Sequence, residues 1–168
     1  MTENTPTGRV LRPALRSDAE ALWSILEPIF RAGTTYCISK AISRSDALDF
    51  WVGGSHQAYV LEENGVVLGT YYICPNQRGG GAHVANAGFA TALAAKGRGV
   101  ARAMLTHALE EARARKFRAM QFNFVVETNT RAINLWKQAD FEVVGRLPGA
   151  FLHPSKGYVD ALVMYRKL

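Results

Sequence analysis

The strongest periodicity in the chain lies over residues 97–116. Val100, Ala101, Met104, Leu105, Ala108, Leu109 and Ala112 recur at three- and four-residue spacing and predict a helix with one continuous apolar stripe. Glu111 and Arg115 add an i,i+4 pair on its other side. Upstream, Ser17 and Glu20 read as a capping box ahead of Ala21, Leu22, Ile25, Leu26 and Ile29. A second helix starting after Ser43 or Ser45 carries Ala47, Leu48, Phe50 and Trp51, and Asn129 opens another bearing Ala132, Ile133, Leu135 and Trp136.

Between these helices the pattern is that of strands. Residues 9–12 form a short one stopped by Pro13. Residues 57–61 and 66–73 flank Glu62-Glu63-Asn64-Gly65, and the Asn-Gly pair tolerates the positive φ of a tight hairpin. Residues 83–93 are a long strand candidate. Residues 119–126 alternate, with Met120, Phe122, Phe124 and Val126 expected on one face. Residues 141–144 and 158–165 complete the set. Residues 76–81, with three consecutive glycines, read as a mobile loop. The order β-α-α-β-β-β-α-β-α-β-β implies an α/β fold, a mixed sheet covered by helices. Residues 1–8 are polar, lack the apolar core of a secretory signal, and read as a flexible lead-in to one domain over residues 9–168.

Composition narrows this further. A chain of 168 residues suits one domain with a sizeable core. No apolar run approaches the roughly 20 residues of a membrane-spanning helix, so no membrane partner is expected. Two cysteines, Cys37 and Cys74, suggest neither a disulfide framework nor a zinc site, and both read as small buried hydrophobes. A reducing cytoplasm is the default compartment, and no metal is expected. The net charge of +6 and pI of about 9.6 favour anionic partners. The basic residues are scattered, however, with no aromatic interleaving or helix-turn-helix pattern, so nucleic acid is not expected.

The sharpest local signal is Lys96-Gly97-Arg98-Gly99-Val100-Ala101, between a strand and the strongest helix. N–H groups at a helix start lack partners within the helix and carry the positive end of its dipole. Glycines there let the backbone approach an anion, most often a phosphate. Arg98 and Arg102 in the first turn oppose that dipole unless an anion compensates. The alternative is a tight turn with two solvated arginines. Neither the Walker-type loop nor the dinucleotide fingerprint fits, since the third glycine position of the latter is Arg102.

Those residues resemble the coenzyme A signature of the GNAT N-acetyltransferase superfamily, with Lys96 in place of the usual glutamine or arginine. Asn129-Thr130-Arg131-Ala132-Ile133-Asn134-Leu135-Trp136-Lys137-Gln138-Ala139-Asp140-Phe141 is similar to a second element of that family. The resemblance implies a mostly antiparallel central sheet with splayed central strands, acetyl-CoA as co-substrate, and transfer of acetyl to an amine. It also implies a homodimer, as is common in the family, though no residue specifies one. Carried onto this chain, the backbone of Gly97, Arg98, Gly99, Val100, Ala101 and Arg102 would wrap the pyrophosphate. Phe89, Ala90 and Thr91 would pair with the pantetheine arm, an N–H near Phe89 would polarise the thioester carbonyl, and Asn129 would bond the coenzyme near its sulfur. The sequence departs from the family at Trp136, where a tyrosine usually protonates the leaving thiolate, and at Asp140, where glycine is usual. The segments around His83 to Phe89 and Phe122 to Asn129 also resemble N-acetyltransferases that act on proline analogues such as azetidine-2-carboxylate, in which the asparagines matching Asn86 and Asn123 are active-site residues.

Asn86 and Asn123 stand out without any family, because each interrupts an apolar strand and an unpaired buried amide costs roughly 1–3 kcal/mol. Facing a common gap, they could orient an amine and stabilise an oxyanion. Alternatively each satisfies the backbone at a bulge, which Gly88 makes plausible. His83, then Glu127, are the candidate bases. The acceptor pocket is expected from the first two helices, the triple-glycine loop and residues 147–157, with a small-molecule amine as the acceptor. The competing readings are acetylation of a protein N-terminus or lysine, and a non-catalytic acyl-CoA-binding module.

Overall fold

A computed structural model describes residues 3–4 and 8–168; most of the lead-in expected over residues 1–8 lies outside the described residues. The chain runs β1 (Glu3–Asn4), β2 (Arg9–Pro13), α1 (Ala19–Ala32), α2 (Arg44–Val52), β3 (Gln57–Glu63), β4 (Val66–Pro75), β5 (Val84–Thr91), α3 (Val100–Ala114), β6 (Ala119–Val126), α4 (Thr130–Gln138), β7 (Glu142–His153) and β8 (Gly157–Lys167). The sheet order is β1-β2-β3-β4-β5-β6-β8-β7. Every neighbouring pair is antiparallel except β5–β6, which is parallel. This is the mixed α/β sheet that the element order implies, mostly antiparallel as the family resemblance implies.

Helices cover both faces. The apolar stripe of α3 (Val100, Met104, Leu105, Ala108, Leu109, Ala112) joins Ile133 and Trp136 of α4 against Tyr71, Ile73, Ala85, Ala87, Met120 and Phe122. On the opposite face, Leu22, Ile25, Leu26 and Phe30 of α1 and Ala47 and Trp51 of α2 cover Ala58, Val60, Tyr72, Cys74 and Ala90. The β3–β4 hairpin turns on Asn64 and Gly65 with φ of 52° and 80°, as the Asn-Gly pair predicts.

Several local expectations give way. Helix α1 does not start from a Ser17–Glu20 box. A 3-10 turn over Arg16–Asp18 precedes it, and Asp18 accepts from the Leu15 N–H at 2.7 Å and from both terminal nitrogens of Arg12 at 2.8 and 2.9 Å. Ser43 does cap α2, accepting from the Asp46 N–H at 3.0 Å. Helix α3 begins at Val100 rather than Gly97, because Gly97 and Gly99 hold φ of 77° and 73°, outside helical space. The expected Glu111–Arg115 pair does form, at 3.3 Å, and it also holds Tyr59, whose hydroxyl donates to Glu111 at 2.6 Å and accepts from Arg115 at 2.8 Å. The triple glycine forms a 3-10 turn, and β7 runs well past residue 144. Gly88 marks no bulge. It keeps register with Tyr72 of β4, and a Cβ on it would meet the Tyr72 ring at 2.5 Å. The bulge lies in β6 instead, where Asn123 and Phe124 stand opposite a single residue between the pairs Phe122↔Met164 and Val125↔Leu162. It reverses the alternation: Met120, Phe122 and Val125 face α3 and α4, while Phe124 and Val126 pack with Phe151 and Val159 on the other side.

Candidate active site

Strands β5 and β6 pair only at Val84↔Ala119 and Ala85↔Met120, and then diverge toward their C-terminal ends. The backbone polarity of β5 decides what the resulting gap contains. Val84 C=O accepts from the Asn76 N–H at 2.7 Å, and Ala92 N–H donates to the Leu68 C=O at 2.9 Å, both on the β4 side. Backbone groups alternate sides along a strand. Even-numbered residues, Ala90 included, therefore belong to the β4 ladder, while Ala87, Phe89 and Thr91 turn their N–H and C=O toward the gap. Of the three residues expected along the pantetheine arm, Phe89 and Thr91 present backbone groups to it and Ala90 does not. The Phe89 carbonyl has a partner that sequence reasoning missed: the Tyr36 hydroxyl, in the α1–α2 connection, donates to it at 2.7 Å. Tyr36 is half-buried, and desolvation pushes its titration well above the ordinary phenol range.

The start of α3 lies at the open end of this gap. Its first intrahelical bond is Ala103 N–H to Gly99 C=O at 3.0 Å, so Val100, Ala101 and Arg102 keep N–H groups without partners inside the helix. Arg98 differs: its N–H donates to Ala95 C=O at 3.3 Å. A Cβ on Gly97 or Gly99 would meet nothing within 4 Å, so these glycines serve the φ angle and leave open space before the helix. Neither arginine is a bare solvated charge. Arg98, which precedes the helix, pairs with Glu63 at the β3–β4 turn, and Arg102 donates to Gln138 of α4 at 2.5 Å. The Glu63 carboxyl, bonded by Arg9 and Arg98, is held below the usual carboxylate range. Asn129 caps α4, its side-chain oxygen accepting from the Ala132 N–H at 3.4 Å, which leaves its NH2 group for other partners.

Asn86 and Asn123 lie on the same face of neighbouring strands. Asn86 is in register with Cys74, which packs against α1 and α2, so its side chain points to that side. Gln121 and Asn123 point the same way, opposite to Met120 and Phe122. Neither asparagine is fully buried: Asn86 is half-buried and Asn123 exposed. Asn123 accepts from Gln121 Nε2 at 2.9 Å and donates to Asn76 Oδ1 at 2.6 Å, so its partners are side chains rather than the bulged backbone. Asn76 stands just after β4, and no sequence signal marked it. A cavity of about 460 Å³ is lined by Gly33, Tyr36, Cys37, Ile38, Ser39 and Lys40 from the α1–α2 connection and by Phe151, Leu152 and Pro154 of the β7–β8 hairpin, with neither asparagine in its lining. The triple glycine takes no part in that lining.

The candidate acids and bases are displaced. His83 is exposed at the paired end of β5, and Glu127 is bound by Arg146 at 2.9 Å and by the Asp160 N–H at 3.2 Å. Trp136 is buried, 5.2 Å from Phe89 and 4.8 Å from Phe122 between ring centroids, and floors the gap as an apolar wall. Cys74 is buried and pushed up to about 11 by that burial, whereas Cys37 is exposed, contrary to expectation.

Comparison with known proteins agrees with this geometry. The model of the Acetyltransferase (GNAT) family matches residues 19–141. A GCN5-related N-acetyltransferase from Kribbella flavida superposes with a TM-score of 0.92 at 40% identity, covering 98% of this chain and 100% of that one. The N-acetyltransferase aca1 of Schizosaccharomyces pombe is 34% identical over 98 residues, 58% of this chain but 47% of that protein, so the match spans about half the relative's length. The yncA structure from Salmonella typhimurium, solved with its cofactor acetyl-CoA, shares the fold with a TM-score of 0.81 at 20% identity, covering 96% and 94% of the two chains.

Proposed function

The chain belongs to the acetyltransferase (GNAT) family, an acetyl-CoA-dependent group of N-acetyltransferases, and on that premise we propose that it acetylates the amine of a small molecule of amino-acid size, with proline analogues within its range. The observation that carries this reading is the divergence of β5 from β6 beside the uncapped start of α3. An extended amide-bearing arm fits as an added strand on the free groups of Phe89 and Thr91. The N–H groups of Val100, Ala101 and Arg102 suit a diphosphate at the mouth.

The reaction joins the amine nitrogen to the thioester carbonyl carbon, breaks the carbon–sulfur bond, and transfers the proton lost by nitrogen to sulfur or solvent. The Phe89 N–H, on the gap side of β5, would donate to the carbonyl oxygen and oppose the charge that grows there. Asn86 and the Asn123–Asn76–Gln121 cluster offer neutral donors and acceptors that orient the acceptor without trapping it as an ion pair. Holding both reactants in one gap supplies much of the acceleration. Trp136 cannot protonate sulfur, so the thiolate leaves without a tyrosine at that position.

The small-acceptor reading is supported by the cavity of about 460 Å³ between the α1–α2 connection and the β7–β8 hairpin. A homodimer belongs to the same proposal. β7 is an edge strand with Val143, Val144, Leu147 and Leu152 exposed, and an uncovered apolar edge favours pairing with a second copy.

The test is thiol release from acetyl-CoA across an amine panel that includes proline, hydroxyproline and azetidine-2-carboxylate. Acceleration by a small amine is expected. If acetyl-CoA raises the thermal midpoint and no amine speeds thiol release, the protein binds the thioester without transferring it.

A further inference from the structure

Tyr36 touches both the cavity and the gap. Its ring lines the cavity between the α1–α2 connection and the β7–β8 hairpin, and its hydroxyl reaches the gap-facing carbonyl of Phe89. Edge-on contacts fix the ring, with centroids 5.6 Å from Phe30 and 6.0 Å from Trp51. A hydroxyl has one proton and two lone pairs. A carbonyl can only accept, so the proton is committed to Phe89 and the oxygen is left as an oriented acceptor. Burial keeps the phenol protonated, which excludes Tyr36 as a general base.

We propose that Tyr36 binds the acceptor amine: its hydroxyl oxygen accepts an N–H of the incoming nitrogen, next to the residue whose own N–H faces the thioester carbonyl. Donation to the Phe89 carbonyl polarises the hydroxyl and leaves its lone pairs pointing away from that bond, so the nitrogen is held by an N–H and its lone pair is turned toward the carbonyl carbon. Primary and secondary amines both retain an N–H for this contact. The hydrogen bond to Phe89 ties the amine-binding atom to the strand that holds the thioester, so the two reactants share one rigid reference. The inference rests on the acetyl-transfer reading above and assigns one atom of the acceptor site.

Tyr36→Phe keeps the ring and removes only the oxygen. The variant is expected to lose roughly tenfold or more in kcat/KM for the amine, the size of one oriented hydrogen bond. Acetyl-CoA affinity by calorimetry is expected to stay within about twofold of wild type. Unchanged amine turnover in Tyr36→Phe overturns the inference while leaving acetyl transfer intact. Equal losses in amine turnover and acetyl-CoA affinity overturn it too, since they mark a structural role. No thiol release by wild type with any amine removes the underlying function instead. Should Tyr36→Phe fail to fold, wild type answers the question: saturating amine is expected to perturb the near-ultraviolet tyrosine absorption, and a silent spectrum overturns the assignment.

Discussion

Asp140 occupies the position after α4 with φ of 61°, where the family usually has glycine. A side chain at left-handed φ is strained, less so for aspartate than for most residues. Asp140→Gly is therefore expected to raise stability by about 0.5–1 kcal/mol, read as a higher urea midpoint, because relief of that strain exceeds the added freedom of the unfolded chain. The converse holds at the cofactor turn. Gly99→Ala forces an alanine to φ of 73° although its methyl meets nothing. It is expected to cost about 1 kcal/mol and to weaken acetyl-CoA binding as the turn shifts, measured by thermal unfolding and calorimetry. Asp18 sets a pH dependence. The hydrogen bonds from Arg12 hold its carboxyl below the ordinary 3.8, with the Leu15 N–H adding to them. A lowered carboxyl contributes stability that is complete above its unfolded pKa and is lost as pH falls through the folded value. The urea midpoint of wild type should thus fall on acidification below about pH 4 more steeply than that of Asp18→Asn. At pH 7 the variant should be less stable by about 1–2 kcal/mol, modest because Arg12 retains Glu62 at 2.8 Å.

At the scale of elements, what was legible followed from period and from turn chemistry. The stripe of α3, the Asn-Gly hairpin and the Ser43 cap each depend on residues close in sequence, so local physics specified them. The bulge in β6 was hidden because Phe122-Asn123-Phe124 alternates equally well with or without an extra residue; only pairing with β8 shows the slip. Gly88 illustrates the same limit. Its small size serves the Tyr72 ring, itself stacked on His56 at 3.9 Å, and that approach crosses two strands. Gly88→Ala should cost about 1–3 kcal/mol by overpacking a ring with no room to retreat, measurable as a lower thermal midpoint. The cofactor turn was legible from its glycines, but the Glu63 tie on Arg98 was not, since 35 residues separate them. Tyr36 was missed for a related reason. It lies in a connection without periodicity, and only the tertiary approach of its hydroxyl to Phe89 gives it chemistry.

For the molecule as a whole, two apolar layers flank a sheet whose left and right parts meet at two residue pairs of β5 and β6. A thioester carrier laid along that seam would supply rungs that the ladder lacks. The free enzyme should then show fast hydrogen exchange at the Ala87, Phe89 and Thr91 amides and slow exchange at Gly88 and Ala90 in between. A bound carrier should slow the odd-numbered set alone, acting as a removable staple between the halves. Ligand and stability would then be linked: protease should cut the protein more slowly when the acylated carrier is added than when it is withheld.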